Sequence, residues 1–563
     1  MMKQFAFTTL LFSAATIHAQ QLQWAHSLVY NDKNGYDLTV SGVAMMTGNA
    51  VVVAGNFHGT VDFDPGAGES IVTSAGGADI YMAAFDASGN FLWAKTIGGD
   101  MSEQLNAITT SANGYIYLGG EYGYMTDFDP GSGTQQLDFI GSQDAFIACY
   151  DSDGNYVYAK GFGGTGVDTV EDISLHADGS LSVGGVFQFI ADFDPSENTF
   201  NLSAEDSPAV ALFFGRYDAN GNLVWAHAIQ SNFGTMRVAS DVQGNTVTSG
   251  FFHGTVDFDP GAGEALLTGT STTTFFAKYN NNGEYVFAHA LGGTSIQTQL
   301  HKSGDIKTDN DGNIYIAGVF VGTADFDPGA GVANLVAMWE SAMFFAKYTN
   351  DGEYLWANQI QNYYQRLEMH IDNNAHVLLT GGMGSNADMD PGPDVYELTT
   401  NGNVDIFMAK YSTAGEFLSA QNFGSTAGDG FGGGICTDSD GFIYLAGMFS
   451  GTTDFDLAND GGELISAGDF SVDEFIARFS PGPVSVEEKN ENTLLRIWPN
   501  PVGDALTMQS KQPLQTIHII DISGRTVLTS KTTSQTTVLQ VGHLCSGVYS
   551  IVVGGVVERM VKE

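Results

Sequence analysis

One tetrapeptide governs what this chain can fold into. Asp-Phe-Asp-Pro begins at Asp62, Asp127, Asp192, Asp257 and Asp325, returns as Asp-Met-Asp-Pro at Asp388, and decays to Asp-Phe-Asp-Leu at Asp454, with successive spacings of 65, 65, 65, 68, 63 and 66 residues. A period of that size means one supersecondary unit repeated seven times, each too small to bury its own apolar face and dependent on its neighbours. The length of 563 residues makes the same demand, because single cores of that size are not built.

Each unit has the same internal grammar. A strand-like run such as GYIYLG at 114–119 follows a turn at Asn113-Gly114, with equivalents after Asp178-Gly179, Gln243-Gly244, Asp311-Gly312 and Asp440-Gly441. The Asp-x-Asp-Pro segment comes next, then a second apolar run: FIACY at 146, FFGRY at 213, FFAKY at 275 and 344, FMAKY at 407 and FIARF at 475. A second turn, as at Asp153-Gly154-Asn155, leads to a strand with an aromatic before Ala: Trp93, Tyr158, Trp225, Phe287 and Trp356. Asn-Gly and Asp-Gly between β-rich runs are the strongest short hairpin signals, because these residues accept positive φ cheaply. Two hairpins per period give four strands, and no helical periodicity competes with them.

Four antiparallel strands per unit make the blade of a β-propeller. The period exceeds the roughly 40 to 50 residues of WD40 and kelch units. The ends test closure independently. An aromatic-Ala strand precedes the first unit, at Trp24-Ala25, whereas none follows the last apolar run at 475–479. The expectation is therefore a seven-bladed propeller over 20–480, its last blade completed by the strand near Leu22 to Leu28. An open sheet edge would otherwise invite aggregation. The DFDPG, FxAKY, DGN and WA signatures resemble the units of bacterial seven-bladed β-propeller repeat proteins, a resemblance that carries a fold and no uniform activity.

Both ends of the chain carry further signals. Lys3, the apolar run Phe5 to Ala15 and small residues up to Ala19 read as a secretory signal peptide over 1–19 with cleavage near Ala19. No later apolar run approaches the roughly 20 residues of a membrane span. Residues 481–493 have the Pro-, Gly- and charge-rich composition of a linker. From 494 to 563, Trp498-Pro499-Asn500-Pro501, GDAL, DISGR with its Ser523-Gly524 turn and SGVYSIVV with Gly547 and Tyr549 resemble the type A C-terminal sorting domain of the type IX secretion system. The turns and alternation indicate a small Ig-like β-sandwich, giving an all-β chain throughout. The resemblance implies export by the outer-membrane secretion machinery, with surface attachment or release. Trp498 stands where that family usually has Tyr. Arg525, Lys562 and Glu563 read as solvated charges.

Charge narrows the partners. The chain holds 20 basic and 64 acidic side chains, net −44. Such a field repels phosphate backbones and anionic membranes, which excludes nucleic acid as the expected partner. Cys149, Cys436 and Cys545 are odd in number and far apart, so they imply no disulfide framework.

Strand parity puts the Asp-x-Asp-Pro connections and the Gly-rich links between units on one face, and the short Asn-Gly and Asp-Gly turns on the other. Long loops on a rigid scaffold are where binding sits, so a glycan or protein ligand is expected on that top face. Two readings exist for Asp62 and Asp64, Asp127 and Asp129, Asp192 and Asp194, Asp257 and Asp259, Asp325 and Asp327, and Asp388 and Asp390. The favoured one is that Asp caps a turn before Pro-Gly. In the other, the carboxylates project together from an extended segment and ligate calcium. His58 and His253 share a repeat position without a recurring Ser or Cys partner and read as loop residues. Trp24, Trp93, Trp225 and Trp356 read as packing, whereas Trp339 lies outside the pattern and could stack on a sugar. The expected function is a secreted or surface binding or adhesion protein. The alternative is a carbohydrate-active propeller enzyme, a glycosidase or lyase, whose carboxylate pair cannot be picked from sequence and whose site should break repeat symmetry in one central pocket.

Overall fold

The computed structural model describes residues 20–30, 39–204, 210–231, 234–293, 304–338, 341–361, 364–425, 428–456, 462–466 and 472–482 of one compact unit, Met1–Gly482. In a second unit, Pro483–Glu563, it describes 496–498, 502–509, 516–521, 526–545, 547–553 and 556–562. The leader with Ala19, most of the linker, Trp339, Pro499, Asn500, Pro501, Gly524, Arg525 and Glu563 lie outside the described residues.

The first unit is all-β and consists of four-stranded antiparallel sheets, an architecture consistent with a β-propeller. Thr39–Met45, Val51–Phe57, Asp79–Phe85 and Phe91–Ile97 form the first sheet in that order. Gln104–Thr110, Ile116–Tyr122, Asp144–Tyr150 and Tyr156–Gly164 form the second; Thr169–Leu175, Leu181–Gln188, Val210–Tyr217 and Leu223–Ile229 the third. Met236–Ser240, Thr246–Asp257, Leu266–Tyr279 and Tyr285–Gly293 follow, then Asp305–Thr308, Ile314–Phe320, Ala342–Tyr348 and Tyr354–Ile360. The sixth contains Tyr364–Ile371, Val377–Met383, Asp405–Tyr411 and Phe417–Phe423. The last joins Gly430–Thr437, Ile443–Ser450 and Val472–Phe479 to the N-terminal strand Leu22–Tyr30, with Ala25 opposite Ala477 and His26 opposite Ile476. The first strand of each sheet packs on the first strand of the next, and that of the last sheet packs on Thr39–Met45.

The second and third strands are buried almost throughout because sheets cover both of their faces, which is why they read as continuous apolar runs. The tyrosine closing FxAKY has its own task. Tyr150, Tyr217, Tyr279, Tyr348 and Tyr411 donate their hydroxyls at 2.8–3.1 Å to the carbonyls of Phe128, Phe193, Phe258, Phe326 and Met389, the middle residues of the Asp-x-Asp motifs. The cation before that aromatic residue, which is Phe479 in the last sheet, is paired in five sheets: Arg216 with Asp178, Lys278 with Asp241, Lys347 with Asp309, Lys410 with Asp372, and Arg478 with Asp438. The first two sheets have Ala84 and Cys149 there. Burial pushes the Cys149 thiol up to about 12, which marks it as a packing residue.

The recurring tryptophans tie sheet to sheet. Trp93, Trp225 and Trp356 donate their indole N–H to the carbonyls of Ser152, Asn281 and Thr413 in the last turn of the following sheet. Trp24 does the same to Ala87 of the first sheet. The turn glycine beside it must be glycine twice over: Gly89 has φ +82, and a Cβ there would meet Trp24 and His26 at 2.8 and 2.7 Å.

Five of the seven Asp-x-Asp motifs lie in a third, very short hairpin that the four-strand grammar did not contain, such as Thr60–Asp62 with Ile71–Thr73 and Thr323–Asp325 with Asn334–Val336, whereas Asp127 makes an isolated bridge to Gln136 and Asp257 ends the long second strand. Strands of three residues leave no periodic trace. Several of these hairpins are held by the end of the preceding sheet's fourth strand: Val29 opposes Asp62, Gly163 opposes Asp192, and Gly292 opposes Asp325.

In the second unit, Arg496–Trp498, Ala505–Gln509 and Thr536–Gln540 form one antiparallel sheet, and Thr526–Lys531, Thr516–Asp521, Gly547–Val553 and Val556–Lys562 another. Val502, Leu506, Ile517, Ile519, Leu539, Ile551 and Met560 share a core, with Tyr549 buried against it and donating to the Cys545 carbonyl at 2.8 Å. Gly547 opens its strand opposite Lys562. Lys562 is buried, not solvated as expected, because the strand that carries it pairs along its full length.

Candidate functional site

The Asp-x-Asp motifs are engaged with their own backbone. Asp62 Oδ1 accepts from the amides of Asp64 at 3.1 Å and Ser70 at 2.8 Å, and Asp64 Oδ1 accepts from Gly66 at 2.8 Å. Asp127 and Asp129, Asp257 and Asp259, Asp325 and Asp327, and Asp388 and Asp390 repeat these contacts. Asp192 takes Asp194 and Phe200, while Asp194 takes Ser196. The strand stops at the first aspartate, so the side-chain alternation that would aim both carboxylates one way does not extend to the second. Among the described residues no three His, Cys, Asp or Glu side chains converge as a metal site. His58 and His253 are exposed, His58 just after Val51–Phe57 and His253 at a bulge inside Thr246–Asp257.

Repeat symmetry breaks instead around the axis. The first strands are sheet edges, and their amides need partners that no fifth strand provides. Side chains of the preceding sheet supply them: Asn56 Oδ1 accepts from the Leu105 amide, Glu171 Oε2 from Met236, Asp172 Oδ2 from Val238, and Asp305 Oδ2 from Met369. Arg237 donates to the Glu171 and Gly304 carbonyls at 2.9 and 3.0 Å. Burial opposes its charge, but Asp172, Glu368 and Glu171 hold it above its ordinary value. Burial pushes His370 down to about 4, so it is neutral where it meets Thr437.

Five of these strands carry a bulge at one repeat position, inserting Ser41, Asn106, Glu171, Arg366 and Gly433 between paired residues. Bulges re-aim side chains and concentrate beside functional sites. Here they place five different residues at a position where the flanking pattern repeats. Ser41 reaches the Leu105 carbonyl and Asn106 the Val170 carbonyl, linking neighbouring strands.

Above this belt opens a cavity of about 510 Å³, lined by Asn56, Gln104, Asn106, Gln143, Glu103 and Arg366 among others. Its lining includes Ala78 and Ser102, the Ala78 amide donating to the Ser102 hydroxyl. The carboxyls beside it are pushed up by burial. Glu103 reaches about 7 despite a hydrogen bond from Thr126, and Asp79 about 6. Asp144 and Asp168 occupy the equivalent positions one repeat later and also reach about 6. The one sequence signal for this site was negative: it lies where the repeat does not repeat.

Comparison with known proteins addresses the two units differently. Residues 496–563 match the secretion system C-terminal sorting domain family. The protein is therefore exported by the type IX secretion machinery, with which its tail interacts, and is secreted or displayed at the cell surface. No helix among the described residues is long and apolar enough to cross a membrane. An uncharacterised WD repeat-containing protein of Acanthamoeba polyphaga mimivirus is 23% identical over 457 residues, 65% of this chain. The chain spans about a third of that relative's length, 32%. Among solved structures, PorZ, an essential bacterial surface component of the type IX secretion system of Porphyromonas gingivalis, aligns over 93% of this chain and 81% of its own at 11% identity and TM-score 0.20. Sqt1 from Chaetomium thermophilum aligns over 87% and 97% at 10% identity and TM-score 0.31.

Proposed function

We propose that this is a surface-exposed or released binding protein whose residues 20–480 form a seven-bladed propeller, latched by the N-terminal strand, with residues 494–563 as an Ig-like sorting domain and 1–19 as a signal peptide removed near Ala19. Its ligand is a glycan taken end-on into the cavity at the mouth of the axis. The observation that carries this reading is the wall itself: Asn56, Gln104, Asn106 and Gln143 line a space of about 510 Å³, within the size range of small-molecule sites. Amides supply donors and acceptors together, which suits hydroxyl-bearing ligands. Glycan-array binding of the mature protein, lost in a Gln104→Ala variant that melts normally, tests it; unchanged binding refutes it. Truncation after residue 482 should strand the chain in the periplasm.

A second reading rests on Glu103. A carboxyl held near pH 7 beside a polar cavity is the state a general acid needs in glycoside hydrolysis. Release of reducing ends from bound glycans, abolished by Glu103→Gln, would favour an enzyme over an adhesin.

A further inference from the structure

Arg366 is the one member of the axial belt that the architecture does not account for. The other belt side chains at the bulges, or next to them, satisfy a neighbouring strand: Ser41, Asn106, Glu171 and Asp172 each close a hydrogen bond across a sheet junction. Arg366 occupies the same bulge, between Gln365 and Leu367, and lines the cavity. Among the described residues its guanidinium makes no ion pair. Its backbone is held at φ +51, a left-handed conformation that costs a non-glycine residue free energy; the seventh sheet has Gly433 at this position. Burial works against its charge, with Glu368 and Glu474 opposing that effect. An arginine held in a left-handed conformation, lining a polar cavity and making no ion pair, has the chemistry of an anion receptor.

The surroundings choose the anion. Glu121 and Glu171 line the same cavity, its other arginine, Arg237, is committed to the Glu171 and Gly304 carbonyls, and the chain has 64 acidic against 20 basic side chains, so a dianionic phosphate ester would meet more repulsion than the Arg366 guanidinium offsets. A single carboxylate matches one guanidinium in charge and in its two-point geometry. The amides of Gln104 and Gln143 line the wall beside it. We infer that the cavity binds a hexuronate residue, its carboxylate on Arg366 and its ring hydroxyls on the amide wall. This rests on the glycan-binding reading above and narrows it to acidic sugars.

The test is calorimetric titration of the mature full-length protein with oligosaccharides containing galacturonate or glucuronate, each paired with its neutral galactose or glucose counterpart. The wild type should prefer the acidic member by tenfold or more. Arg366→Gln should lose that preference while retaining the weak neutral affinity, and Arg366→Lys should keep part of it. Arg366→Gly guards against misfolding, since glycine accepts the observed φ; it should melt at or above the wild-type temperature and show no acidic preference. Equal affinity of the wild type for both members of each pair, or an acidic preference surviving in Arg366→Gly, overturns the assignment and leaves the glycan reading standing. No binding of any oligosaccharide overturns both.

Discussion

Trp24 donates its indole N–H to the carbonyl of Ala87 at 3.1 Å, and this bond joins the last sheet to the first in the way Trp93 joins the first to the second through Ser152. A residue of the first strand thus performs the junction task of a fourth strand in the last sheet. Deleting residues 20–30 removes both that junction and the partner of Val472–Phe479. The variant should lose cooperative thermal unfolding, whereas Trp24→Phe, which forfeits mainly one hydrogen bond, should cost about 1 kcal/mol. Calorimetry of both variants checks this, and an unchanged transition in the deletion would remove the latch from the account.

The pair Lys278–Asp241 has side chains 4% and 0% exposed at 2.7 Å, which places it among pairs where breaking and replacing differ in sign. Asp241→Ala should destabilise by about 3 to 5 kcal/mol, because it strands a buried ammonium. The double change Asp241→Leu, Lys278→Met should recover most of that loss. Urea midpoints of the three proteins decide it.

The caps at Asp257 and Asp259 predict tolerance of an isostere. Asp257→Asn keeps the oxygen that receives the Asp259 and Ala265 amides and should melt within about 0.5 kcal/mol of wild type, while Asp257→Ala should lose about 1 to 2 kcal/mol, as capping residues do. Calcium should raise the melting temperature no more than magnesium at equal ionic strength. A calcium-specific rise abolished by Asn would restore the metal reading.

Stability should fall from mildly acidic to neutral pH. Burial raises Asp79, Asp144 and Asp168 to about 6 and Glu103 to about 7, so the folded chain holds protons that the unfolded chain has released. That contribution is complete below about pH 4 and is lost as pH rises through 6 and 7. Asp372 has the opposite sign: although burial opposes it, the His376 hydrogen bond and Lys410 hold it far below its usual range, so its contribution is lost as pH falls below about 4. Urea midpoints should be higher at pH 4.5 than at pH 7.5, and Glu103→Gln should flatten the difference. A midpoint that rises toward pH 7.5 contradicts the protonated carboxyls.

What was legible in the sequence followed from the period. The orphan aromatic-Ala strand at Trp24 announced a missing partner for the run at 475–479, because counting works on any repeated element. The third hairpin was hidden because strands such as Thr60–Asp62 are too short to alternate. The axial cavity was hidden for a deeper reason. Asn106, Glu171 and Arg366 share one bulge position yet differ in kind, and period analysis discards what differs as noise. Lys278 and Asp241 were both in view within recurring motifs, but only the fold brings two such distant positions together.

The pairing of Leu22–Tyr30 with Val472–Phe479 sets a clock on assembly. The strand made first waits for the partner made last, carrying an unsatisfied edge while every intervening sheet forms from local neighbours. Sequence-distant pairing is slow because the chain loses its freedom before the contact stabilises it. The last sheet therefore cannot be completed before residues 472–479 exist, and the sorting tail is the next segment of chain after them.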